Sequence, residues 1–174
     1  MRRVLLALVS ATLLAIAAVA PAAAAKPDHS RPGPMPPIDL AAGEVCDFAV
    51  TLASTVDTST TSVWEYEDGT VRILARGYAS GTATNTEDGI TYTHSGGFRV
   101  EVVIHPDGSV NVNASGNLFA WYFAGDPIEG LSEGLFAISG RGSESYAPDG
   151  SLVSAVFYGG HVVDLCAALA PADG

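Results

Sequence analysis

The most constraining feature of the sequence is a recurring Asp-Gly pair. The pairs begin at Asp68, Asp88, Asp107 and Asp149, so successive pairs lie 20, 19 and 42 residues apart. Asp-Gly between alternating segments is a strong signal for a tight β-hairpin turn, because such turns need positive φ angles that these residues tolerate. A repeat near 20 residues fits two strands of about eight residues and two turns. The pattern therefore predicts an antiparallel meander, and the doubled interval predicts a longer loop at 125–134.

The segments between these pairs alternate apolar and polar residues, as half-buried strands do. In one of them Phe98, Val100 and Val102 share a face, and Arg99 and Glu101 lie on the other. After the N-terminal region, helical spacing appears only near the C-terminus. We therefore predict an all-β fold, a single antiparallel up-and-down β-barrel of about eight strands, with a β-sandwich as the alternative. Closure into a barrel is favoured because it leaves no exposed edge strand.

Residues 1–25 have the three-part pattern of a secretory signal peptide: a basic start, an apolar run over 4–20 and a small-residue end. The apolar run is at the lower edge of the length that spans a bilayer. We predict cleavage near Ala25 and a secreted, extracellular protein without a membrane anchor. Cleavage removes two arginines and no acidic residue, so the net charge would change from −11 to −13. This acidic balance disfavours nucleic acid as a partner, because nucleic acid needs clustered Lys or Arg.

The remaining chain divides by composition and by its two cysteines. Residues 26–44 are rich in proline and predict a flexible leader, residues 45–170 the barrel domain, and residues 171–174 a C-terminal tail. Cys46 and Cys166 lie near the two ends of the domain. In an exported chain two cysteines predict one disulfide. In an up-and-down barrel the first and last strands are neighbours, so this bridge would cross the closing seam.

Short motifs of turn and packing residues are distributed along the domain: Thr84-Asn85, Ser95-Gly96, Asp107-Gly108-Ser109, Gly116-Asn117-Leu118-Phe119, Gly134-Leu135-Phe136, Gly140-Arg141-Gly142 and Asp164-Leu165-Cys166. On these motifs the region from about Cys46 to Leu169 resembles small secreted actinobacterial β-proteins of unassigned function. Its architecture is more loosely similar to the allene-oxide-cyclase and dirigent barrels. The resemblance implies a fold and an extracellular address, and it implies no activity and no functional residue.

Motifs for metal, cofactor or nucleophilic chemistry do not emerge from the sequence. The histidines are His29, His94, His105 and His161, and no two of them have the spacing of metal ligands. The acidic residues before Gly69 and Gly89 look like the start of a calcium loop, but the glutamate expected six residues later is missing. We therefore predict no metal site, no cofactor and no catalytic residue.

The aromatic residues carry the remaining functional signal. Segment 118–123 is apolar on both faces, so one face needs a cover: the 125–134 loop, a second subunit or an apolar ligand. Our leading hypothesis is a non-catalytic binding protein for a small apolar ligand or an extracellular protein partner. The candidate contacts are Trp64, Tyr66, Tyr92, His94 and Trp121.

Two other classes of function are open. One is a cyclase or isomerase acting on an apolar small molecule, with His94 or His161 as acid or base. The other is a structural or interaction protein of the cell envelope. The sequence leaves the identity of the ligand and the oligomeric state open.

Overall fold

The computed structural model describes residues 27–171, which form ten strands and one short helix. The elements are β1 (Asp28–Ser30), β2 (Ile38–Leu40), β3 (Val50–Asp57), β4 (Thr60–Glu65), β5 (Val71–Asn85), β6 (Thr91–Ile104), β7 (Val110–Tyr122), β8 (Ile128–Glu129), β9 (Gly134–Tyr146), β10 (Leu152–Asp164) and α1 (Leu165–Ala168). The prediction of an all-β fold is confirmed. So is the helical character predicted near the C-terminus.

All ten strands belong to one largely antiparallel sheet. Its centre is the consecutive series β5, β6, β7, β9 and β10. The outer side of β5 is shared, because residues 71–76 pair with β4 and residues 79–85 pair with β3. The short strand β1 pairs with β4, and β2 pairs with β3, both antiparallel. The two-residue β8 pairs in parallel with β10.

Within the described residues the sheet is open, so the predicted closure into a barrel is wrong. Closure was expected because it removes edge strands. Here the open edges are the outer side of β10, which pairs with β8 only at Ala155 and Val156, and the side of β6 before Phe98 that faces away from β5. The short strands β1, β2 and β8 cover only part of the edges of β4, β3 and β10.

The hairpin turns lie where the Asp-Gly pairs predicted them. Each pair joins two consecutive antiparallel strands, and each glycine has a positive φ: Gly69 (84°), Gly89 (72°), Gly108 (88°) and Gly150 (80°). The 42-residue interval between the pairs at Asp107 and Asp149 contains the longer connection from β7 to β9, and this connection includes β8. The meander and its one long loop are therefore confirmed.

The sheet splits along β6, so its long strands contribute to two separate layers. This strand pairs with β5 from Thr91 to Ile104, but it pairs with β7 only from Phe98 onwards. Gly116 of β7 lies at the branch, opposite Phe98, with φ +99°. A Cβ atom there would lie 2.2 Å from the carbonyl oxygen of Gly97, so only glycine permits this approach of the two backbones.

The first core fills the space between the two layers. Its buried residues are Leu40, Cys46, Val50, Leu52, Ala83, Leu135, Ala137, Leu165 and Leu169. One layer consists of β2, β3 and the separated ends of β5 and β6, and the other of β7, β9 and α1. A Cβ atom on Gly81 of β5 would lie 3.0 Å from the ring of Phe119 in β7, which shows how closely the layers meet.

The second core lies on the opposite face of β7 and β9. Tyr122, Phe136, Ile138 and Ala155 are buried there, and the side chains packed against them include Ile128 and Leu131. Those two residues belong to the 125–134 loop. Of the three covers that the sequence left open, the 125–134 loop is therefore the one that packs over this face.

The predicted Cys46–Cys166 disulfide is present, with the two Cα atoms 5.3 Å apart. It joins the segment before β3 to helix α1, and it crosses no seam because β3 and β10 do not pair. The segment predicted as a leader is docked on the sheet: it contains β1 and β2, and Leu40 is only 6% exposed. The predicted signal peptide and most of the predicted tail lie outside the described residues.

Candidate functional site

The sheet has one polar, solvent-exposed face in the half that contains β4 and the adjoining parts of β5, β6, β7 and β9. We call it the polar face. Its polar side chains are Arg72, Arg76, Arg99, Glu101, His105, Asn111, Asn113, Ser115, Arg141, Ser143 and Ser145, and the register also places the buried Leu74 and the apolar Val103 on it. These residues share a face because they occupy alternate positions along the strands and lie opposite one another across them.

The strand register places three arginines in one row. Arg76 of β5 lies directly opposite Arg99 of β6, Arg99 lies opposite Ser115 of β7, and Ser115 lies opposite Arg141 of β9. All three arginines are exposed. The row crosses four strands and so spans about 14 Å. We call it the arginine row.

Only part of this positive charge is neutralised by the protein. Glu101 accepts a hydrogen bond from Arg72 at 2.5 Å and lies 3.6 Å from Arg99. None of the salt bridges found within residues 27–171 involves Arg76 or Arg141. Like charges directly opposite each other on neighbouring strands are destabilising. The row is therefore a feature that stability alone does not favour.

Two of the aromatic residues predicted as contacts lie beside the polar face. The guanidinium of Arg72 is 5.0 Å from the centre of the Trp64 ring, within the range of a cation–π contact. The hydrogen bond from Arg72 to Glu101 raises the pKa of Arg72. Tyr66, just beyond the end of β4, is exposed. Arg72 thus lies between the Trp64 ring and the Glu101 carboxylate.

Two adjacent depressions form a shallow groove on the polar face. One has a volume of about 430 Å³, and its lining includes Arg99, Glu101, Asn113, Ser115, Arg141 and Tyr158. The other, of about 410 Å³, is lined by residues that include His105, Asn111, Asn113, Ser143 and Ser145. Asn113 belongs to both, so it marks the middle of the groove. Tyr158 is 66% exposed and its hydroxyl group forms a 2.8 Å hydrogen bond with Ser143.

The groove has the chemistry of a binding surface. Guanidinium and amide groups donate hydrogen bonds to carboxylate or hydroxyl oxygens, and the serines and Glu101 accept them. The histidine on this face, His105, already accepts a 2.8 Å hydrogen bond from the Asn111 amide. Within residues 27–171 no group of three or more His, Cys, Asp or Glu is arranged to hold a metal ion.

The other three predicted contacts, Tyr92, His94 and Trp121, are not at this surface. Tyr92 and Trp121 pack against the first core, and the ring of His94 lies 5.7 Å from that of Phe119, centre to centre. The Nε2–H of His94 donates a 3.1 Å hydrogen bond to the carbonyl oxygen of Ile138. The five predicted contacts therefore divide into a surface pair and an interior trio.

The arginine row was not anticipated from the sequence, although a signal for it exists. Arg76 and Arg99 lie at polar positions of the alternating pattern in their strands. They are 12 and 11 residues from Asp88, which lies in the turn between the two strands. Near-equal distances from a tight turn place two residues opposite each other. Combining the turn position with the alternation would have paired them.

Comparisons of the chain with protein-family models, with curated proteins and with solved structures found no match. The resemblance to secreted actinobacterial β-proteins and to allene-oxide-cyclase or dirigent barrels stays a prediction. In the part of the chain that the structure describes, no helix has the length and apolar character needed to cross a membrane.

Proposed function

We propose that this protein is an extracellular, non-catalytic binding protein that holds its ligand on the polar face. The observation that carries the proposal is the groove around Asn113, which presents arginine, amide, hydroxyl and aromatic groups to solvent from four adjacent strands. Side chains mounted on the middle of a sheet are held more rigidly than side chains on loops, which suits a binding site.

The contacts of the interior trio support a surface ligand over a small apolar one. The apolar surfaces of Tyr92 and Trp121 already pack against the first core. His94, the candidate acid or base of a cyclase, already donates to a backbone carbonyl. Of the two ligands expected from the sequence, an extracellular partner on the outside of the sheet accounts better for these contacts.

Export from the cell is part of this proposal. A disulfide between Cys46 and Cys166 is compatible with an oxidising compartment. We expect the mature chain to begin near Lys26 and to accumulate in the culture medium. Mass analysis of the secreted protein measures this directly, and an intact Met1 in the secreted form would contradict it.

The binding proposal is tested by filling the groove without changing charge. Asn113→Trp places a bulky side chain in its middle, and Thr93→Trp places the same side chain at an exposed position of β6 outside the polar face. Binding is measured by surface plasmon resonance against a panel of extracellular polysaccharides and secreted proteins. We expect Asn113→Trp to lose the interaction and Thr93→Trp to keep it. Equal binding by both variants and the wild type would show that the ligand site is elsewhere.

A further inference from the structure

We propose that the ligand on the polar face is an acidic polysaccharide, a saccharide chain bearing carboxylates, and that the arginine row binds those carboxylates. The inference rests on the proposed function and adds the chemical class of the ligand. Its first support is the distribution of charge. The whole chain has a net charge of −11, yet four of the five arginines in residues 27–171 lie on the polar face, where Glu101 contacts two of them. A local positive region on an acidic protein attracts anions to that place alone.

The geometry of the arginine row specifies an extended ligand with more than one anionic group. Arg76 and Arg99 are direct neighbours, and an anion between them would relieve their repulsion. Arg141 lies two strands beyond Arg99, with Ser115 between them. One small anion cannot contact a row of about 14 Å, whereas a chain with repeated carboxylates can. The guanidinium group is suited to carboxylates because it offers two parallel hydrogen bonds to the two oxygens.

The neutral groups of the groove favour a saccharide over other polyanions. Asn113, Ser115 and Ser143 supply donors and acceptors that match sugar hydroxyl groups, and the exposed Tyr158 ring offers a flat surface. A peptide that binds by strand addition needs a free sheet edge, and β6, β7 and β9, which carry most of the groove, are paired on both sides there.

Calorimetric titration with three defined polymers tests the inference: polygalacturonate, neutral dextran and polyglutamate. The test variant is Arg76→Gln/Arg99→Gln/Arg141→Gln, and the control is Arg31→Gln, which removes one charge at an exposed position outside the polar face. We expect wild type to bind polygalacturonate, more weakly as salt is added, and not to bind dextran. Each exposed charge pair contributes up to about a fivefold change in affinity, so the triple variant should lose about 100-fold and Arg31→Gln less than twofold.

The outcomes separate this inference from the proposed function. No binding of polygalacturonate by wild type would overturn the inference, and so would tighter binding of polyglutamate, which would indicate an acidic polypeptide. Equal binding of dextran and polygalacturonate, lost in Asn113→Trp but kept in the triple variant, would overturn the inference and leave the proposed function intact. Binding of every polymer unchanged in Asn113→Trp would overturn both.

Discussion

Tyr122 at the end of β7 donates a 2.9 Å hydrogen bond to Glu144 of β9, although the strand register places Val112 opposite Glu144 and Gly134 opposite Tyr122. Glu144 lies ten residues along β9 from Gly134, the partner of Tyr122 in register. The two side chains can therefore meet only because the strands curve over the second core. Tyr146 donates to the other oxygen of the same carboxylate. Burial, and next the charge of Glu144, raise the pKa of both tyrosine hydroxyls, so both remain donors.

This relationship predicts an effect of Tyr122→Phe on stability. The substitution removes one donor from a partly buried carboxylate, and hydrogen bonds to charged groups contribute about 2 kcal/mol. We expect the free energy of unfolding, measured in urea, to fall by about that amount. Tyr158→Phe is the control, because it also removes a hydroxyl bonded to a side chain, but from an exposed residue, and it should cost less than about 0.5 kcal/mol. Equal effects of the two variants would contradict the bent-strand contact.

Glycine at the branch of the sheet gives a second prediction. Gly116→Ala adds a Cβ atom that would lie 2.2 Å from the carbonyl oxygen of Gly97, so the backbones must separate. Gly125→Ala has a similar positive φ, +83°, but meets no atom within 4 Å. We expect Gly125→Ala to cost about 1–2 kcal/mol for its backbone conformation, and Gly116→Ala to cost at least about 2 kcal/mol more. Urea unfolding of both variants measures the difference, and equal costs would rule out a tight branch.

Removal of the disulfide is expected to be costly. Its sulfur atoms join residues 120 positions apart, and the loop-entropy model assigns about 4–5 kcal/mol to a closed loop of that length. Cys46→Ser/Cys166→Ser should lower the melting temperature accordingly, and thiol titration of the unfolded, unreduced wild type should find no free thiol. An unchanged melting temperature, or two titratable thiols in freshly purified protein, would contradict this expectation.

The hairpin tips predict a pH dependence in acid. Hydrogen bonds from Ser109 and Ser151 lower the pKa values of Asp107 and Asp149 below the ordinary 3.8. A lowered folded-state pKa means that the stabilisation is complete above about pH 4 and is lost as the pH falls through the folded-state values. Carboxyl titration by NMR should give lower midpoints for both residues in the folded protein than in urea. Identical midpoints would show that these hydrogen bonds do not persist in solution.

The arginine row predicts a stabilising substitution. Arg76→Gln removes one of two like charges that face each other across β5 and β6, so the free energy of unfolding should rise by a few tenths to about 1 kcal/mol. The gain should shrink as salt is added, because both side chains are exposed. Arg31→Gln is the control for the change in net charge. A loss of stability in Arg76→Gln would show that the opposed arginines are not a cost to the fold.

The sequence predicted best those features that depend on local chemistry. The turns at Gly69 and Gly108 follow from the φ requirement of hairpins, and the cover over 118–123 follows from a strand that is apolar on both faces. The disulfide follows from two cysteines in a chain with a predicted signal peptide. None of these inferences needed knowledge of how distant strands meet.

The features that the sequence did not predict depend on bulges and on long-range register. Strict alternation along β10 would place Phe157 and Val163 on one face, but a register shift between Phe157 and Gly159 sends Phe157 to the second core while Val163 packs in the first. Periodicity cannot reveal such a shift, because one extra residue reverses every later side chain. The open sheet was missed for a related reason: alternation shows that strands exist and not where their ends lie.

The disulfide also determines what a protease can do to this molecule. All four Asp-Gly turns lie between Cys46 and Cys166 along the chain, at exposed loop tips of the kind that proteases cut first. A single cut at any of them yields two fragments that remain linked through sulfur, each holding part of the same sheet. A nicked molecule would therefore run as one species on a non-reducing gel and as two on a reducing gel, and its fragments would stay joined until the bridge is reduced.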